Sequence, residues 1–235
     1  MTARKVTRIL NRIVDYLVFV IMITCFLIGS YALYDSYLVY KEANPSTIMK
    51  WRPGVNSPAE ERGAPEDMVA WLTMDDTTID YPIMQGKDNH EYLNKNPYGE
   101  YSLAGSIFLD SRNASDFSDT YSLVYGHHMD HGAMFGAIDA FIEEKYYDNH
   151  RTGKLVIGSS VYRLKTFALV EALAEVGEIF ELEDGTLEYV RNHAKHLNPE
   201  DFPAEEDRYI ALSTCKFPDT TERTILFAKL ISVKE

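Results

Sequence analysis

The chain has 235 residues, with 23 basic and 36 acidic side chains, a formal net charge of −13 and 46% hydrophobic residues. An acidic balance of that size excludes nucleic acid as a partner, because phosphate binding needs a basic surface. The length allows one domain of ordinary size with its own core, and neither an internal repeat nor a low-complexity tract interrupts it.

Residues Tyr16 to Tyr34 are 19 positions without a charged side chain. A helix of that length is about 28 Å long, close to the hydrocarbon thickness of a bilayer, so 16–34 reads as a transmembrane anchor. Arg4, Lys5, Arg8 and Arg12 precede the span, whereas Asp35, Lys41 and Glu42 follow it. The positive-inside bias then leaves 1–15 as a cytoplasmic tail and exports the remainder, giving a single-pass protein of the cell membrane. A cleaved signal peptide is the competing reading, but the run exceeds a usual signal core and no convincing small-x-small site follows it. The first 34 residues carry four basic side chains and one acidic one, so the exported part carries −16.

After the span, Asp35 to Glu42 continues as a short amphipathic helix, and Asn44-Pro45-Ser46 and Arg52-Pro53-Gly54 through Pro65 interrupt regular structure, so 35–67 reads as a stalk. From Met68 the chain becomes short apolar runs rich in β-branched and aromatic residues: Val69 to Met74, Ile79 to Met84, Ser106 to Leu109, Tyr121 to Tyr125, Lys154 to Ile157, Val161 to Leu173, Tyr209 to Thr214 and Thr224 to Val233. Strands at this spacing predict a mainly β domain over 68–235, a barrel or a sandwich. Two insertions read as helices on its outside, Ala133 to Tyr146 and Thr186 to Leu197, the second with Leu187, Val190, Ala194 and Leu197 on one face. No Gly-rich phosphate loop and no metal-ligand spacing points to a bound cofactor.

Of the two cysteines, Cys25 lies in the apolar span and Cys215 ends the run Tyr209-Ile-Ala-Leu-Ser-Thr-Cys215, so no intramolecular disulfide forms. A lone exported thiol is a candidate nucleophile. If the last two strands are an antiparallel hairpin joined by Lys216 to Glu222, Arg223 opens the second strand close to the thiol. A guanidinium there can hold an oxyanion and favour the thiolate. The competing reading pairs Arg223 with Glu222 or Asp219. A histidine comes from Tyr125-Gly126-His127-His128-Met129, where the glycine allows a sharp turn that projects His127 from a strand end. The cluster of His127, His128 and His131 admits acid-base catalysis, a metal site or a polar turn. His90, His150, His193 and His196 read as solvated.

The segment Ala211-Leu-Ser-Thr-Cys215 followed by Arg223 resembles the Thr-Leu-x-Thr-Cys plus downstream arginine signature of the sortases, and Tyr125-Gly-His127 resembles their catalytic-histidine turn. The class B branch fits best: Tyr81-Pro-Ile-Met-Gln-Gly-Lys-Asp-Asn89-His-Glu-Tyr-Leu93 is similar to the class B segment before the third strand, and the helix between the sixth and seventh strands is a class B feature. Ala211 departs from the family's usual threonine, at a position expected to support the strand. The resemblance implies a closed eight-stranded barrel and a membrane-anchored cysteine transpeptidase of Gram-positive bacteria. Such an enzyme cuts a C-terminal sorting signal of secreted proteins after Thr and joins the new end to an amine, either of a peptidoglycan precursor or of a pilin. On that reading Cys215 is the nucleophile, His127 the acid-base, Arg223 the oxyanion holder, and no cofactor is needed. By position, Asn89, Leu93 and Ser213 resemble groove residues that bind the signal. As bare residues they also read as a helix cap, a core leucine and a strand serine.

Two other functions remain open on the residues alone. One is a metal-dependent hydrolase using His127, His131 and Cys215. The other is a membrane-tethered binding module in which Cys215 is a small buried hydrophobe.

Overall fold

The computed structural model describes residues 3–43, 48–53, 63–182, 184–215 and 221–233, and of Cys215 the backbone only. The chain divides into two compact units, Met1–Lys41 and Glu42–Glu235.

Helix α1, Ala3–Ala43, contains the charge-free run, and it continues through the segment where a short helix over Asp35 to Glu42 was expected. Val18, Phe19, Ile21, Phe26 and Leu27 are all exposed along it. A helix that is apolar on every side and covered by no protein is suited to lipid. α1 is long and apolar enough to cross a membrane.

The second unit is built on β1 Met68–Met74, β2 Asp80–Met84, β3 Ile107–Leu109, β4 Tyr121–Tyr125, β5 Thr152–Ile157, β6 Ser160–Leu173, β7 Ala194–Leu197, β8 Tyr209–Cys215 and β9 Glu222–Ser232. Strands run in the order β5-β1-β2-β3-β4-β8-β9-β6, and a β5–β6 pairing closes the ring, so eight strands form a barrel. Closure leaves none of these strands with a bare edge along its whole length, the usual liability of a sheet. Each of the eight apolar runs became a strand with ends shifted by two residues or fewer. Two neighbours are parallel, β2 with β3 and β4 with β8, and the remaining pairs are antiparallel.

The ninth strand corrects the expected helix over Thr186 to Leu197. Helix α4 covers only Thr186–His193, after two shorter helices, α2 Glu144–Asn149 and α3 Gly177–Phe180. The strand β7 that follows pairs with β6 at Ala168, Leu169 and Val170. The cause lies in β6, which is long enough to outrun its neighbour: β5 covers β6 from Ser160 to Lys165, and β7 pairs further along. An unpaired backbone there would cost more than the last turn of a helix gains. His196, read as solvated, sits in this strand half-buried, its Nε2 2.8 Å from the Ile142 carbonyl. The other insertion is also not one regular helix, for Phe135–Ile142 winds as a 3-10 helix and α2 follows it.

In one large core cluster Leu123, Phe167, Ala211 and Phe227 of the barrel meet Ile179 and Phe180 of α3 and Val190 of α4, and Met84, Tyr92 and Phe108 form a smaller one. Residues 48–53 also pack on the barrel. Trp51 is 1% exposed, its ring 4.8 Å from that of Tyr98, and Arg52 Nε donates to Asp80 at 3.1 Å. The Asn44 to Ser46 break and the stretch from Gly54 to Arg62 lie outside the described residues.

Gly126, immediately after β4, matters through close approach and not through a left-handed backbone, which it does not adopt. A Cβ there would collide with Ile107 Cδ1 and lie 2.7 Å from the Phe135 ring. Gly126→Ala should therefore destabilise the protein by about 1–3 kcal/mol, as overpacking does. Thermal unfolding of the full chain in detergent micelles measures it, and an unchanged midpoint would mean that Ile107 and Phe135 move aside at no cost.

Candidate active site

Two strand registers bring distant residues to one rim. In the parallel pair β4–β8, Tyr125 lies opposite Ser213, and Gly126 N–H donates to the Ser213 carbonyl at 3.1 Å. In the antiparallel pair β8–β9, Cys215 lies opposite Arg223. His127, two residues beyond Tyr125, is thus carried to the end of β8, although 88 positions separate it from Cys215.

A cleft of about 220 Å³ opens there. Asn89, Leu93, His127, Ser213 and Arg223 all line it, together with Phe108, Tyr125, Gly126 and Thr214. The backbone of Cys215 follows directly from Thr214.

The orientation of His127 is set by one bond: its Nε2 lies 2.6 Å from the Leu93 carbonyl. A carbonyl only accepts, so Nε2 carries a proton and Nδ1 is the nitrogen left for exchange. Gly105, with φ +60°, lets the backbone pass beneath; a Cβ there would collide with the Leu93 carbonyl and sit 3.0 Å from the His127 ring. Arg223 is half-buried and its Nη1 donates to the Glu222 carbonyl at 3.3 Å. Asp219, its other expected partner, lies outside the described residues.

The three candidate groove residues differ in how they are held. Asn89 is not a helix cap: Asp88 Oδ1 instead accepts from the N–H groups of His90 and Glu91 at 2.8 and 3.0 Å. The Asn89 amide is engaged at both ends, Nδ2 donating to Asp110 Oδ2 at 2.8 Å and Oδ1 accepting from Ser111 N–H at 2.7 Å. Leu93 is half-buried against Met84, Tyr92 and Phe108, so it serves the core and the cleft at once. Ser213 is 1% exposed and its hydroxyl has no partner among the described residues.

Sequence reasoning missed the group behind this wall. Asp110, 0% exposed, accepts from Asn89, from Tyr125 Oη at 3.2 Å, and from Arg112 through N–H, Nε and Nη2 at 2.9, 2.9 and 2.8 Å. Burial pushes the Asp110 carboxyl up, but the Arg112 guanidinium and N–H and the Asn89 amide outweigh it and hold the group below its ordinary value. Burial and the Asp110 charge push the Tyr125 phenol up, so it stays a donor. An Asp-x-Arg in a loop reads as solvated, and only the contact with Tyr125 and Asn89 distinguishes this one.

His128 faces a different structure: its Nε2 lies 2.6 Å from Asp139 Oδ2, tying the strand end to the 3-10 insertion. His131 is exposed on a turn with φ 59°. Among the described residues no three His, Cys, Asp or Glu side chains group as a metal site. A larger cleft, about 630 Å³, lies beside α4 between Arg112, Asp119, Tyr121, Glu188 and Tyr209, at the opposite end of β4 and β8 from His127.

A family described as the Sortase domain matches residues 72–231. The curated Sortase B of Listeria monocytogenes is 35% identical over 176 residues, 71% of each chain. Among solved structures, a Streptococcus pyogenes class B sortase involved in pilus biogenesis is 34% identical with a TM-score of 0.65, covering 72% of this chain and 94% of its own. Sortase B from the type II pilus of Streptococcus pneumoniae is 30% identical with a TM-score of 0.62, covering 74% and 97%. The chain belongs to the sortase family of cysteine transpeptidases, in its class B branch.

The two adjacent histidines should separate on mutation. His128→Ala removes one bond to Asp139, worth about 1 kcal/mol of stability, and should leave turnover of the same order. His127→Ala should abolish turnover in the same peptide-cleavage assay, and a dead His128→Ala enzyme that still unfolds at the wild-type temperature would reverse the assignment.

Proposed function

We propose that the chain is a membrane-anchored transpeptidase that cuts a C-terminal sorting signal after Thr and passes the protein to an amine of the cell wall. What carries the reading is the meeting, at one rim, of the Cys215–Arg223 register pair with a cleft lined by His127, Asn89, Leu93 and Ser213. Helix α1 supplies the anchor, and the basic tail before it favours a cytoplasmic N-terminus with the barrel outside.

In the first half-reaction the Cys215 sulfur, its proton passed to His127, attacks the Thr carbonyl carbon, and the carbonyl electrons move to oxygen. Arg223 and a backbone N–H beside the cysteine hold that oxyanion. The C–N bond then breaks, the segment after Thr departs as an amine with a proton from His127, and the protein ending in that Thr remains as a thioester on sulfur. In the second half an incoming amine gives its proton to His127 and attacks the same carbon, which expels the thiolate and forms the new amide. The similarity to a sortase of pilus biogenesis favours a second reading, in which the amine is a pilin lysine.

Mass spectrometry of the full chain mixed with peptides of the form Leu/Asn-Pro-x-Thr-x, in excess EDTA, tests the first half. The expected result is a covalent adduct on Cys215, released by hydroxylamine and absent in Cys215→Ala. Failure of every peptide would overturn transpeptidation, and activity abolished by EDTA would favour a metal-dependent hydrolase instead.

Arg223→Lys should lower the rate of adduct formation by about 10²- to 10³-fold, since an ammonium cannot reproduce the planar fork of donors. Stopped-flow or quench kinetics on the same peptides measures it. A near-wild-type rate would reduce Arg223 to a tether for the strand end.

A further inference from the structure

We propose that Asp110 is a positioning residue of the cleft, orienting Asn89 and Tyr125 so that the wall offers the bound signal one fixed hydrogen-bond donor above an apolar floor. The inference deepens the transpeptidase reading and rests on it. Asp110 is the only charged side chain among the described residues that is fully buried. Burying a carboxylate is costly unless every oxygen is engaged, and two of its five donors belong to side chains that line the cleft.

The bonds fix what the wall presents. Because Asn89 Nδ2 gives one hydrogen to Asp110 and Oδ1 accepts from Ser111, the amide cannot flip, and its second N–H is the polar group left for a ligand. That group suits a carbonyl oxygen of an extended peptide. Tyr125 spends its hydroxyl on Asp110 and offers the cleft its ring, 5.3 Å from that of Phe108. The carboxylate is in turn held by the Arg112 fork, whose Nη2 donates to the Phe180 carbonyl at 2.6 Å and whose Nη1 meets Glu181 at 2.9 Å. The wall is thereby keyed to the end of α3.

Asp110→Asn keeps the shape but has one accepting oxygen in place of two, so it cannot serve both Arg112 and Asn89, and the Asn89 amide becomes free to turn. Expected is a rise of about tenfold in KM for a signal peptide that wild type cleaves, the equivalent of one ordinary hydrogen bond, with a smaller change in kcat. Alkylation of Cys215 by iodoacetamide should proceed at the wild-type rate. In a double-mutant cycle, Asn89→Ala combined with Asp110→Asn should be little worse than Asn89→Ala alone. If Asp110→Asn fails to fold, Arg112→Lys, which removes the fork, takes its place with the same expected rise in KM. An unchanged KM, additive effects in the cycle, or an equal loss in alkylation and cleavage would overturn the proposal while leaving transpeptidation intact. A wild-type chain that forms no adduct with any signal peptide would overturn both.

Discussion

The parallel pairing of β4 with β8 is the constraint on which the site depends. A parallel pair needs a long crossover, and here that crossover holds β5, β6, β7 and all three short helices. Its register, Tyr121 opposite Tyr209 through Tyr125 opposite Ser213, fixes how far the His127 turn projects past the end of β8. A slip by one residue would reverse the face of every side chain on the strand and send Tyr125 and Ser213 away from the cleft. The slip is prevented by burial: Leu123, Ala211 and Phe227 are fully buried in the same cluster as α3 and α4. The hydrophobic core is therefore what aligns the chemistry.

The cleft is assembled from pieces with different structural costs. His127 takes its orientation from a backbone carbonyl that already belongs to the Glu91–Leu93 turn, so no additional buried group is required. Asn89 instead depends on a buried carboxylate that must be balanced by Arg112. The difference follows from chemistry. A ring nitrogen needs one partner, whereas an amide must be held at both its oxygen and its nitrogen before it can tell a donor from an acceptor.

Much of this architecture is visible in the amino-acid string. The eight barrel strands are short apolar runs bounded by turn residues, and local patterning locates them within two residues. Their closure into a barrel and not a sandwich rests on which strands pair, and that is set by contacts far apart in sequence; here the family resemblance supplied it. β7 escaped because Leu187, Val190, Ala194 and Leu197 fit a helical stripe while the decisive fact, an uncovered edge on β6, belongs to a different segment. The Cys215–Arg223 proximity followed from hairpin geometry alone. Asn89, Leu93 and Ser213 carry no local mark of a shared cleft, and Asp110 was invisible for the same reason: its role exists only once β3, β4 and the Asn89 turn have converged.

The thioester intermediate proposed for this chain must outlast water and yet accept an amine, which asks for a wall whose few polar groups are fixed before the substrate arrives. Preorganised donors need no rearrangement as charge develops, and apolar surface around them limits competing hydration. Leu93, Phe108 and the Tyr125 ring supply that surface, and the Asn89 amide among them is held from behind. The buried Asp110 carboxylate, met by an Arg112 whose guanidinium reaches solvent, then has a rationale that stability alone does not give, since an apolar side chain at 110 could fill the same volume at no desolvation cost. Its benefit is orientation, delivered to a cleft that the barrel registers have already placed beside Cys215.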